Sequence, residues 1–430
     1  MREKFIKSTF ILLLGGFITK LLGMIIKIVM SRLIGTEGLG LYMLILPTFN
    51  LFIGLGQFGI PTAISKLVAE DKKNNKNLLV SATTIILIIN IILILLIFLL
   101  APILANKLLR NNDTYYGILA IALVIPFTSI SSICRSYFFG KENMLPHVIS
   151  NIIEDIVRLM LMIIGIPLFI NKGLKYVVAF IILSNVISEL VSSLILLFFL
   201  PRNIKIKKND LIPNKYYMKE CLDIGIFNTT GRLIGSIGYF FEPIILSLVL
   251  LKNGYSTNFI TREYGILSGY VMPLILLPSF FTLAISNALL PIVAKRYQEK
   301  RKDDVKRKIR LAILLSLVLG IPITILFMCF PKFFLKIIYN TTEGINYIRL
   351  LAPICLLQYI ESPLSASLIA MGKSKDQMMA TLLGISSRII LLFILSNFKI
   401  GIYGLIIAIG ANIIIESLYE IIKVRNILKN

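Results

Sequence analysis

Seven basic residues stand inside stretches of sequence that are otherwise apolar: Lys20, Lys27, Arg135, Arg158, Arg232, Arg349 and Arg388. Acids occupy the same stretches at Glu154, Asp155, Glu189, Glu242 and Glu361, with Asp223 and Glu416 nearer their ends. An ion held at the centre of a bilayer costs about 2.5 to 3.5 kcal/mol on insertion scales, so such residues mark internal ion pairs or charged-ligand sites. Glu154 and Arg158 are four apart and Asp155 and Arg158 three apart, the spacings of a local helical ion pair. Arg135 and Arg349 are near helix ends, where a long side chain reaches the interface. Lys20 and Arg232 differ from these, because neither has an acid within four residues on either side. Lys20 and Lys27 are seven apart and share one helical face.

Converging lysine and arginine side chains suit phosphate or carboxylate. Lys20, Lys27 and Arg232 are therefore candidate anion-binding residues, with Arg158 and Arg388 as further charges of the same cavity. Glu189, Glu242 and Glu361 are candidate coupling acids for a proton or cation, and they are equally candidates for partners of the bases; the sequence leaves both readings open. Other chemistries are excluded by what is scarce. One histidine, His147, removes His-based metal clusters and Ser-His-Asp triads. The cysteines at 134, 221, 329 and 355 have no paired spacing and read as packing residues, so no metal site and no cofactor is expected.

The elements that must position these charges are membrane helices. The chain has 430 residues, of which 57% are hydrophobic and 16% charged, against about 45 to 50% and 25% for a soluble domain. Its mean hydropathy is +0.87. Runs long enough to cross a bilayer, about 20 apolar residues, predict twelve spans, at 8–31, 41–65, 78–105, 117–139, 148–170, 175–200, 221–251, 265–294, 310–330, 345–370, 378–397 and 400–422. The first is longer than the apolar part of a signal peptide and carries Lys20 and Lys27, so it reads as a retained helix.

The net charge of +23 comes from 45 Lys and Arg against 22 Asp and Glu. In a membrane protein this excess belongs in cytoplasmic loops, not on nucleic acid. One alternating set of loops, with both termini, holds 28 of these bases and the opposite set 10, which predicts both termini in the cytoplasm. Every connection is shorter than about 20 residues, too little for an external catalytic domain. A membrane glycosyltransferase or polymerase would need catalytic acids in such a domain. The longest external loops offer only Glu263 and Glu343. A non-enzymatic transporter is expected.

The halves on either side of the basic 201–219 stretch resemble each other. Lys20-Leu21-Leu22-Gly23-Met24-Ile25 matches Arg232-Leu233-Ile234-Gly235-Ser236-Ile237 at an offset of 212, and Gly140-Lys141 matches Gly372-Lys373 at 232. The second span closes from Pro61 to Lys66 and the eighth from Pro291 to Lys295. A duplication of six spans gives parallel repeats related by an axis along the membrane normal. The expected architecture is all-α, with lobes at 1–200 and 220–430, a linker at 201–219 and a central cavity between the lobes.

Lys20-Leu21-Leu22-Gly23, Ser31-Arg32-Leu33-Ile34-Gly35-Thr36-Glu37-Gly38-Leu39-Gly40-Leu41-Tyr42 and Gln57-Phe58-Gly59-Ile60-Pro61-Thr62-Ala63-Ile64-Ser65-Lys66 resemble the multidrug/oligosaccharidyl-lipid/polysaccharide exporter superfamily. The likeness extends to Gly231-Arg232-Leu233-Ile234-Gly235 and to Pro278 through Pro291, and points to the stage V sporulation protein B and polysaccharide-biosynthesis flippase branch. The resemblance implies a bacterial plasma-membrane flippase for a polyprenyl-diphosphate-linked saccharide of cell-wall, spore-cortex or surface-polysaccharide synthesis. Its partners would be that lipid-linked anionic saccharide and the surrounding lipids, with the protein a monomer. Lys20 matches a basic position that binds diphosphate in the lipid II flippases, and Lys27 matches another to within one residue. Basic positions those relatives carry in the second and eighth spans read here as Asn50-Leu51-Phe52-Ile53 and Tyr270-Val271-Met272-Pro273, so the resemblance does not bring lipid II over as the substrate. The alternative within the superfamily is a cation-coupled multidrug antiporter, whose cavity would rest on acids such as Glu189, Glu242 and Glu361.

Overall fold

Long apolar runs broken only by scattered Gly, Pro and Asn leave backbone amides no partner but one another, and the chain resolves into helices throughout. The computed structural model describes residues 2–70, 75–200 and 212–429, with side chains from residue 11 onward except those of 13, 227, 228, 230–232 and 234. The expected linker at 201–219 therefore lies largely outside the described residues. Fifteen α-helices and no strand occur among those described. They are α1 (Arg2–Gln57), α2 (Ile60–Ala69), α3 (Asn75–Ile103), α4 (Tyr115–Gly140), α5 (Leu145–Ile170), α6 (Leu174–Phe199), α7 (Lys215–Lys252), α8 (Thr257–Gly265), α9 (Met272–Ile275), α10 (Ser279–Gln298), α11 (Lys302–Cys329), α12 (Pro331–Tyr339), α13 (Ile345–Ala370), α14 (Ser374–Leu395) and α15 (Tyr403–Lys429). The fold is that of an all-α integral membrane protein.

Local chemistry sets the breaks. Helix α1 runs through the first two expected spans, but Gly35 adopts φ 67° and ψ −172° inside it, a non-helical geometry that glycine reaches without a Cβ penalty. Gly59 caps α2 at φ 63°, and a Cβ there would run into the carbonyl oxygen of Gly225 on α7. Position 59 thus needs glycine for both conformation and close approach. Pro273 and Pro278 remove two amides from the eighth expected span. A π-helical stretch, Ile266–Val271, precedes them, and Thr257–Ile275 and Ser279–Gln298 bend by 52°.

Among the described residues, eight helices are long and apolar enough to cross a membrane, or nine if the bent pair counts as one span. The sequence expectation was twelve. The difference has identifiable origins: α1 joins two expected spans, and α5 holds Glu154, Asp155 and Arg158 within one span length. Helix α13, with Gln358, Glu361 and several serines, is likewise too polar to qualify by hydropathy.

The chain divides into two compact units, Met1–Phe240 and Phe241–Asn430, with the division inside α7. In the first, Ile64 and Leu67 of α2, Leu78 and Ile86 of α3, Tyr137 of α4 and Leu196 of α6 bury one another. In the second, Leu289 and Val293 of α10, Ile309 of α11, Leu364 and Leu368 of α13 and Val424 of α15 do the same. These are corresponding helices of the repeat seen in the sequence.

Candidate functional site

In the first unit, α4, α5 and α6 carry a shared ion network. The Arg135 guanidinium donates to Glu189 Oε2 at 2.8 Å and to Ser192 Oγ at 2.9 Å, both on α6, and it pairs with Glu154 on α5. Glu154 also pairs with Arg158 one turn further along α5, and Arg158 Nη1 lies 3.4 Å from Asp155 Oδ1. Glu154 and Glu189 are both buried. The spacing of helix α5 was readable in the sequence; the role of Arg135 was not. Expected to reach for the interface, it turns inward and joins three helices. The available signal was the charge balance, since three acids in adjacent spans faced Arg158 alone and needed a second cation.

The second unit holds an arginine–glutamate pair and a carboxylate group. Arg388 on α14 pairs with Glu242 on α7, and the buried Tyr264 hydroxyl of α8 donates to Glu242 Oε1 at 3.1 Å. Separately, Glu361 of α13 accepts from Gln358 at 2.9 Å, and Glu416 of α15 accepts from Thr381 at 2.7 Å and Asn412 at 3.3 Å. Glu420, one turn beyond Glu416, has no exposure to solvent and lies within electrostatic reach of both carboxylates. Among the described residues no ion pair reaches any of the three. Sequence reading singled out Glu361 but left Glu416 near a helix end and did not name Glu420.

Three candidate anion-binding residues remain. Lys20 and Lys27 both lie on α1, and 1.5 Å of rise per residue separates them by about 10.5 Å along its axis. Lys20 is exposed and Lys27 half-buried. Neither has an ion-pair partner among the described residues. The Arg232 side chain lies outside the described residues. Arg158 and Arg388, expected as further cavity charges, are both bound to carboxylates, as are Glu189 and Glu242 to guanidinium groups. No group of three His, Cys, Asp or Glu side chains arranged to hold a metal ion occurs among the described residues.

Sequence and fold both have known counterparts. Residues 5–297 match the family model described as polysaccharide biosynthesis protein, and residues 268–394 match that of MatE. Stage V sporulation protein B of Bacillus subtilis (strain 168) is 36% identical over 99% of this chain and 85% of its own length. Lipid II flippase MurJ of the same organism is 22% identical over 91% of this chain and 77% of its own length. Among solved structures, an inward-facing multidrug resistance MATE family transporter of the MOP superfamily superimposes with a TM-score of 0.77 at 17% identity. The match covers 96% of this chain and 94% of that one, a likeness of fold alone.

Proposed function

The chain belongs to the polysaccharide biosynthesis protein family, within the multidrug/oligosaccharidyl-lipid/polysaccharide exporter superfamily, and from that premise we propose that this membrane transporter is a flippase for a polyprenyl-diphosphate-linked saccharide. In this reading the protein sits as a monomer in the bacterial plasma membrane with both termini in the cytoplasm. Its 1–200 and 220–430 lobes rock about a central cavity that opens to one side and then the other. Lys20, Lys27 and Arg232 hold the diphosphate while the lipid tail stays in the bilayer. Outward movement of the anion is favoured by an inside-negative potential, by about 2.3 kcal/mol per charge per 100 mV.

One observation carries this reading: Arg135, Arg158 and Arg388 are each consumed by carboxylates, whereas Lys20 and Lys27 have no such partner among the described residues. A cation placed inside a span without a partner is expensive unless a ligand supplies the anion. The lipid II flippase relative supports a lipid-linked substrate.

A second reading, a cation-coupled multidrug antiporter, is favoured by the carboxylates Glu361, Glu416 and Glu420, none of which meets a cation in an ion pair among the described residues. Native mass spectrometry separates the two. Wild type and Lys20→Ala/Arg232→Ala are offered a polyprenyl-diphosphate lipid and a lipophilic cationic drug in parallel. Selective lipid binding that is lost in the double variant is the expected result. Drug binding without lipid selectivity, unchanged by the substitutions, favours the antiporter.

A further inference from the structure

A cavity of about 440 Å³ lies in the second unit between the start of α11 and the end of α15. Lys306 and Arg310 enter it from α11, and Arg425 and Lys429 from α15, over an apolar floor that includes Ile313 and Leu364. None of the four cations has an ion-pair partner among the described residues, and no acid lines the cavity. We propose that this cavity binds the phosphate headgroup of an anionic phospholipid, with Lys306, Arg310, Arg425 and Lys429 as its ligands.

Two simpler explanations of the four charges fall short. Arg425 and Lys429 stand in the last turns of α15, where cations complement the negative end of the helix dipole. Lys306 and Arg310 lie beyond the first turn of α11 (Lys302–Cys329), outside the reach of its dipole, so helix electrostatics gives them no partner. They need an anion from elsewhere. Positive charge on one side of a membrane protein sets its orientation, but that requirement is met by any placement in the loops and does not bring charges from two helices to one cavity.

The surroundings specify a lipid over a soluble anion. Below the cavity α11 continues as exposed Leu311, Leu314 and Val318, and α15 leads to it through exposed Leu418 and Ile422. Apolar side chains in such a row face acyl chains. A phosphate seated among the cations would place its fatty acyl groups along this surface, so headgroup and tail are both matched. Basic pockets between membrane helices bind anionic headgroups on these terms, and guanidinium groups add bidentate contacts to phosphate.

The test is lipid retention by the full chain, extracted from mixed phosphatidylcholine and phosphatidylglycerol bilayers and weighed by native mass spectrometry. Wild type should retain phosphatidylglycerol over phosphatidylcholine. Since each basic residue near an anionic surface contributes about fivefold, Arg310→Gln/Arg425→Gln should lower that retention about 30-fold. The Arg307→Gln/Lys308→Gln variant removes the same number of charges from α11 residues that do not line the cavity and should retain the lipid within about twofold if the cavity, not the general surface charge, holds it. An equal loss in both double variants would show a diffuse surface effect and overturn the proposal. So would release of the lipid from wild type by inorganic phosphate, which would make the occupant a free anion. Should the arginine variant fail to fold, Lys306→Gln/Lys429→Gln reads the same cavity with the same expected loss and the same overturning result.

Discussion

Glu189 and Glu420 are 231 residues apart, matching the offset of the repeat, and each stands buried on the last helix of its half. Their surroundings differ. Arg135 reaches Glu189 from α4; the position 232 residues later is Ser367, whose hydroxyl turns back to the Pro363 carbonyl at 2.6 Å. One half of the molecule thus neutralises its buried carboxylates with two guanidinium groups that tie α4, α5 and α6 together. The other gathers Glu361, Glu416 and Glu420 with no cation paired to them among the described residues. A shared helix scaffold therefore does not fix a shared electrostatic role. In the first unit the charges serve cohesion, and in the second the carboxylate group contributes little to it.

That contrast is breakable by substitution, and the largest effect is expected at Arg135. Arg135→Met strands the buried Glu189 and strips Glu154 of one of its two guanidinium partners, leaving it Arg158, and stranding one member of a buried ion network costs about 3 to 5 kcal/mol. A fall in the thermal unfolding midpoint measures it, and adding Glu189→Gln should recover part of the loss. Arg388→Met comes next. It leaves Glu242 with the Tyr264 hydroxyl and should cost about 3 kcal/mol, the lower end of that range, because a single carboxylate is stranded. A smaller loss at Arg135 than at Arg388 would invert the comparison.

Glu420→Gln sharpens it from the other side. An amide avoids the desolvation of a buried ion, so stability should change by less than about 1 kcal/mol or rise. A loss as large as that of Arg135→Met would mean that Glu420 is as structural as Glu189. The smallest change in stability, within about 0.5 kcal/mol, is expected for Lys20→Ala, since no described residue relies on it for a pair. Binding of diphosphate lipid should be lost in the same variant, measured on the same sample.

Much of the fold was legible before any helix was placed. Apolar run length identified the protein as a membrane-spanning helical chain, but the breaks at Gly59 and at Pro273 to Pro278 fall inside the 41–65 and 265–294 spans that run length alone treated as continuous. The span count was less secure, since Gly35 turns the backbone inside one continuous helix and α5 trades hydropathy for charge. Within the site, the pairs of Arg158 with Glu154 and Asp155 were readable because all three occupy one helix, where spacing sets proximity. Arg135 was misjudged because its distance from a helix end suggested an interfacial side chain, while its partners lie 19 and 54 residues away. Glu420 escaped notice because Lys423 and Arg425 follow it closely on the last helix, though Lys423 turns away to Asp376 at 2.9 Å.

The sequence by itself determined that the chain crosses a membrane, that short motifs recur in its halves at offsets of 212 and 232, and which residues carry charge into apolar helices. These properties are one-dimensional: run length, offset and composition can be counted along a chain. Only the tertiary structure decided which charge meets which. Helical periodicity assigns a residue to a face of its own helix and says nothing about what stands at the same depth on the neighbour, and in a low-dielectric interior that neighbour determines whether a buried ion is tied down or left available.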